Sequence, residues 1–155
     1  VHLDGVPGVW FLSCDAAHAP AVWAARAFYH LPYQNAQINF RQDGTNVRFE
    51  SRRTERDATR AEFRAEWTIG DALPDCAPGS LAHFLTERYC LYTAHRDRIY
   101  RGRVAHSHWP LRRAELKSLA STMFESHGLQ TPAAAPLVHY AEAVAVDIWP
   151  LENQR

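Results

Sequence analysis

The sequence predicts an α+β fold made mainly of antiparallel strands, a β-barrel or sandwich with few helices. Apolar and polar residues alternate with period two through three successive runs between Ala36 and Ile69. Turn signals such as Asp43-Gly44 and Arg96-Asp97 divide the chain into short segments. The chain has 155 residues, 46% of them apolar and 12% aromatic, enough for one domain with a real core, 1–155.

The elements follow in order. "VHLDGVPGVW" reads as a strand, a turn and the next strand, a start expected to lie within a domain. "GVWFLSCD" (8–15) is a continuous apolar run, predicting a strand covered on both faces. Pro20 then opens a helix over "AVWAARAFYH", with Val22, Ala25, Arg26 and Tyr29 on one face, and Pro32 ends it because the residue before a proline avoids the helical region. "AQINFRQ" places Ala36, Ile38 and Phe40 on one face and "TNVRFESRR" does the same for Val47, Phe49 and Ser51. A hairpin turning on Asp43-Gly44 sets Gln42 opposite Thr45, Phe40 opposite Val47 and Ile38 opposite Phe49.

"TRAEFRAEWTIG" turns Ala61, Phe63, Ala65, Trp67 and Ile69 inward and its charges outward. Charge selects its register against the preceding strand: Arg52 faces Glu62, Glu50 faces Arg64 and Arg48 faces Glu66, while Val47 meets Trp67 and Ser51 meets Phe63. The same pairing disposes of a helical arginine stripe through Arg48, Arg52, Arg56, Arg60 and Arg64 as a phosphate-binding surface. "DALPDCAPG" is a surface loop, Ser80 caps a short helix, and "RYCLYTAH" and "RIYRGRVAHSHW" are strands joined near Arg96-Asp97. Leu116, Leu119, Ala120, Met123 and Phe124 at helical spacing, with Gly128 beyond, predict a helix over "RRAELKSLASTMFESHG". "LVHYAEAVAVDIWP" (137–150) reads as one long final strand.

Composition excludes several functions. Seventeen basic residues balance 17 acidic ones, so no net field draws nucleic acid or an anionic membrane. Lys117 is the only lysine, which confines amine chemistry to one residue. Cys14, Cys76 and Cys90 are too widely spaced for a zinc knuckle and odd in number, so buried free thiols are expected. No apolar run reaches the roughly 20 residues of a membrane span and no export signal is seen, which points to the cytoplasm.

The segments "GVWFLSCDA", "ARAFYHLPY", "SRR", "FLTERYCLY", "YRGRV", "HSHWPL" and "VHYAEAVAVDIW", in this order, resemble the uncharacterised YqjF-type family, a domain of unknown function in the acetoacetate decarboxylase-like superfamily. The resemblance implies a cone-shaped antiparallel β-barrel with a few outer helices. Members of that family usually begin well upstream of "GVWFLS", so the chain is expected to hold the C-terminal two-thirds of such a domain. In the decarboxylases a Gly-Arg-Glu segment leads through a Phe-Pro pair into two adjacent lysines, the first forming a Schiff base with the keto acid. By the resemblance Arg26 matches that arginine, Leu31-Pro32 the Phe-Pro pair, and Tyr33 and Gln34 the two lysines. A Schiff base needs a primary amine, which neither supplies, so decarboxylation by that route is not expected and no catalytic residue is assigned.

The same resemblance turns Tyr33 toward a barrel cavity, with Arg26 one helix face before it and Gln34 beside it. Glu87-Arg88 leads from a helix into a strand, as a structural ion pair or with Arg88 as a carboxylate-binding arginine. His106 and His108 share a strand face and could meet a divalent ion only with a third ligand, so no metal or cofactor is expected. Ser13 and Ser80 lack a nucleophile elbow and are not expected to act as nucleophiles. Two readings remain: a binder of a small apolar or carboxylate-bearing ligand, and an oligomerising interaction module. An enzyme of other chemistry rests on fold analogy alone.

Overall fold

A computed structural model describes residues 1–55 and 58–154. The strands β1 (His2–Leu3) and β2 (Val6–Pro7) form a small hairpin. β3 (Val9–Trp10), β4 (Cys14–Ala16), α1 (Ala19–Tyr29), β5 (Tyr33–Asp43), β6 (Asn46–Arg53) and β7 (Glu62–Ala72) follow. Then come α2 (Leu81–Thr86), β8 (Cys90–His95), β9 (Arg98–His106) and β10 (Arg112–Ser121). A 3-10 turn (Glu125–His127) and the short strands β11 (His139–Tyr140), β12 (Val146–Ile148) and β13 (Glu152–Gln154) complete the chain. Six strands in the order β11-β10-β7-β6-β5-β4 curl into half a barrel. In the second large sheet the order is β12-β9-β8-β3, with β13 also on β9. The α+β class dominated by strands is therefore observed.

The charge ladder sets the β6–β7 register as predicted: Arg48 faces Glu66, Glu50 faces Arg64, Arg52 faces Glu62, and Val47 meets Trp67. Arg56, from the rejected arginine stripe, lies outside the described residues. On the apolar face Val47, Ala61, Ala65 and Ile69 are buried, and Phe49 meets Phe63 edge to face at 5.9 Å.

The preceding hairpin differs from expectation. Asp43 pairs with Asn46, so the loop is Gly44-Thr45, Phe40 faces Phe49 and Ile38 faces Ser51. An Asp43-Gly44 loop of the type I′ kind would hold Asp43 in the left-handed region. Moving the loop by one residue leaves only Gly44 there, at φ 55°, in the manner of a type II′ turn. Each pairing shifts by two residues, so the apolar face is preserved.

The helix expected over residues 112–128 is instead β10 followed by the 3-10 turn. Leu116 faces Trp67 and Ser118 faces Glu66, which leaves Lys117 as an extra residue in a β-bulge. The bulge switches the alternation by one position. Leu116 and Leu119 therefore reach the same face of the sheet, and their three-residue spacing imitates a helical stripe. Lys117 itself is exposed and pairs with Glu115.

Two further strands are broken where the chain passes between sheets. "GVWFLSCD" is not one strand covered on both faces: β3 lies parallel to β8 in one sheet and β4 lies parallel to β5 in the other, with Trp10 and Leu12 exposed. The expected long final strand also divides, β11 joining β10 and β12 joining β9. Its connecting residues include Ala141, Ala143 and Ala145, whose small side chains offer little to hold a pleated face.

The helix α1 forms as predicted, with Pro20 in its first turn and Val22 buried. It ends where His30 adopts the left-handed conformation, φ 51°, and returns its backbone N–H to the Ala25 carbonyl. Ser80 caps α2 by accepting from the backbone N–H of His83 at 3.2 Å. At the β8–β9 turn Arg96 and Asp97 both take positive φ, 48° and 60°, closing the predicted hairpin.

Candidate functional site

An apolar hollow of about 570 Å³ opens between the second sheet and the start of β5. Its walls include Phe11, Leu31, Leu91, Val104, Trp109 and Ile148, and the polar side chains that reach it are Tyr33, Thr86, Arg88, Cys90 and His106. Such a composition, mostly apolar with a few polar groups, is typical of small-molecule sites.

Local folding brings these groups together. Leu31-Pro32 ends the helix and delivers Tyr33 as the first residue of β5, parallel to Cys14. Burial, reinforced by the Cys14 thiol, pushes the Tyr33 hydroxyl up to about 12, so it enters the hollow as a neutral group. Arg88 and Cys90 are two apart as the chain enters β8, and both reach the hollow. The Arg88 guanidinium stands 4.2 Å from the centre of the Phe84 ring and donates to the Glu87 backbone carbonyl. Among the described residues it pairs with no carboxylate.

Glu87 does not pair with Arg88. Its buried carboxylate accepts from the Tyr89 hydroxyl and lies 3.1 Å from His108 Nδ1. The Tyr89 hydrogen bond, helped by His108, holds its carboxyl below the usual carboxylate range against the opposing effect of burial. His106 goes elsewhere, stacked on Tyr89 at 4.7 Å and near the edge of Trp109. The two histidines therefore serve different partners. Among the described residues no group of three or more His, Cys, Asp or Glu is placed to hold a metal ion.

Arg26 and Gln34 do not line the hollow. Arg26 donates to the Tyr33 carbonyl at 2.6 Å, to Gln34 at 3.2 Å and to both carboxylate oxygens of Glu55 at 3.0 and 2.7 Å. Glu55 also accepts from the Asn35 backbone N–H. Arg26 and then Asn35 hold the Glu55 carboxyl down at about 2. This clamp fixes the start of β5 from behind and so positions Tyr33. Sequence reasoning missed Glu55, whose only signal was an unassigned carboxylate after a strand.

A second polar cluster was equally unforeseen. Arg53, at the end of β6, holds Asp15 of β4 with two hydrogen bonds, of 2.9 and 3.2 Å, and donates to Ser13 Oγ at 3.2 Å. Ser13 Oγ lies 2.8 Å from His127 Nε2, at the end of the 3-10 turn. Trp109 and Cys90 in the hollow were also not singled out.

The comparisons agree with the resemblance at the level of the family. The curated protein YqjF of Bacillus subtilis (strain 168), itself uncharacterized, is 37% identical over 153 residues, an alignment that takes in 99% of this chain and 62% of that protein. The chain thus spans less than two thirds of the length of this relative. No solved structure matches this chain. Matched over residues 1–145 by DUF2071, described as an uncharacterized conserved protein, the chain belongs to that family.

Proposed function

We infer that the protein binds a small apolar ligand bearing a carboxylate in the hollow beside Tyr33. The observation that carries this reading is Arg88, a guanidinium at a mostly apolar hollow that pairs with no carboxylate among the described residues. A buried or half-buried arginine usually has an anionic partner, and its planar fork matches a carboxylate. The Tyr33 hydroxyl, which also lines the hollow, supports the reading as a donor to a second oxygen of such a ligand, whereas both ring nitrogens of His106 lie against backbone carbonyls, of Ser107 at 2.7 Å and Arg88 at 3.3 Å.

The reading includes the finer relationship, a barrel of the acetoacetate decarboxylase-like kind formed as a single domain, with Tyr33 where the Schiff-base lysine would stand. A borohydride trap with acetoacetate then leaves the mass unchanged, and a covalent adduct on Lys117 overturns that part. Among the described residues no helix is long and apolar enough to cross a membrane.

Octanoate is a suitable probe, followed by calorimetric titration. Arg88→Ala removes a charge-assisted hydrogen bond, a loss of about 10- to 100-fold in affinity, and Tyr33→Phe a smaller one. Unchanged affinity in both variants would sink the assignment.

A second reading, self-association, is favoured by the aromatic pair Trp23 and Phe28 on the outer face of α1, 64% and 63% exposed. Sedimentation decides it: a monomer at all concentrations removes this reading and leaves the first untouched.

A further inference from the structure

Ser13 sits where the chain leaves one large sheet for the other, outside any strand ladder. The crossing presents its hydroxyl to two groups at once, His127 Nε2 at 2.8 Å and Arg53 Nη2 at 3.2 Å. Gly128 follows His127 in the left-handed conformation at φ 69°, ending the 3-10 turn that holds the imidazole there. Arg53 is fixed on its other sides by Asp15 and by the Thr59 carbonyl at 3.0 Å.

The side chains of Arg53 and Asp15 are only 4% and 7% exposed, so the pair carries a large desolvation cost. Asp15 Oδ2 is enclosed without a hydrogen-bond partner among the described residues. A serine between an imidazole and a fixed cation has the parts a nucleophile needs: a base for its proton and a positive charge beside the oxygen that becomes an alkoxide. Such constellations are recognised by geometry rather than by position in sequence.

We propose that Ser13 is an acyl-accepting nucleophile toward activated esters, with His127 as its general base and Arg53 as the cation beside the attacking oxygen. This assignment is independent of the ligand reading for the hollow. On attack the bond from Ser13 Oγ to the ester carbonyl carbon forms, the carbon–alkoxide bond breaks, and the hydroxyl proton passes through His127 Nε2 to the leaving oxygen. Water then takes the acyl group from Ser13, while His127 accepts the water proton and returns it to Oγ. The imidazole makes no hydrogen bond to a carboxylate among the described residues, so it lacks the third member that supports poor leaving groups. Esters whose alcohol leaves readily, such as p-nitrophenyl acetate, are the matching class.

The test is intact-mass spectrometry of the folded chain after incubation with a fluorophosphonate, in which the bond from Oγ to phosphorus replaces the phosphorus–fluorine bond. One adduct per chain is expected, mapped by peptide analysis to Ser13, absent in Ser13→Ala and formed at least about 100-fold more slowly in His127→Gln. No adduct on the wild-type chain, an adduct at another residue, or a wild-type labelling rate in His127→Gln would overturn the proposal. Should Ser13→Ala fail to fold, the mapped site in wild type and the rate in His127→Gln still decide.

Discussion

Arg26 and Arg53 each fasten a carboxylate beside the edge where β4 runs parallel to β5, in opposite surroundings. The Arg26–Glu55 side chains keep 39% and 28% of their surface in water, whereas Arg53–Asp15 keep 4% and 7%. The number of hydrogen bonds is similar, yet the first pair is screened by solvent while the second is taken out of it. Hydrogen-bond counts therefore do not rank these clamps; burial does. Arg26 serves to place Tyr33, and Arg53 holds together β4, β6 and the Ser13 crossing.

The two arginines are therefore not interchangeable in their expected effects. Arg53→Ala leaves Asp15 charged, buried and unpaired, a loss of about 3–5 kcal/mol in urea denaturation. Replacing both partners by apolar residues, Asp15→Leu with Arg53→Met, recovers most of that loss, because the cost lies in the orphaned charge. Arg26→Ala lowers the thermal midpoint by less than about 3 °C, since a half-exposed pair contributes little net stability. An equal loss at both arginines would show that burial does not separate them.

Acid titration sharpens the contrast. Arg26 and Asn35 hold the Glu55 carboxyl at about 2 in the folded state, below its ordinary value of 4.5. The stabilisation is thus complete above pH 4.5 and is lost as pH falls toward about 2. In Arg26→Ala that part of the acid slope flattens. The smallest effect belongs to the exposed ladder: Arg48→Glu sets like charges opposite each other on β6 and β7 and costs about 1–2 °C. High salt should erase that difference.

Where the sequence alternated strictly, the fold was legible. From β5 to β7 the apolar faces and the β6–β7 register followed from side-chain period and cross-strand charge, and the single miss there was which residue leads the Gly44 turn. The helix expected at Leu116–Phe124 failed for a definite reason, because the Lys117 bulge gave a strand a three-residue apolar spacing. The segments at 9–16 and 139–148 misled because a change of sheet leaves no period to read. The site was legible in parts: Tyr33, Arg88 and His106 were singled out separately and meet at one hollow, while Arg26 and Gln34 turn to Glu55. The Ser13–His127 contact joins residues 114 apart and carries no local signal at all.

The two crossings also govern how the molecule opens. Residues 9–16 pair with β8 and with β5, and residues 139–148 pair with β10 and with β9, so each segment belongs to both sheets. Neither sheet can peel away without releasing both segments from the other. Amide hydrogens at the centres of β6 and β8 are therefore expected to exchange with the same free energy, as one cooperative unit.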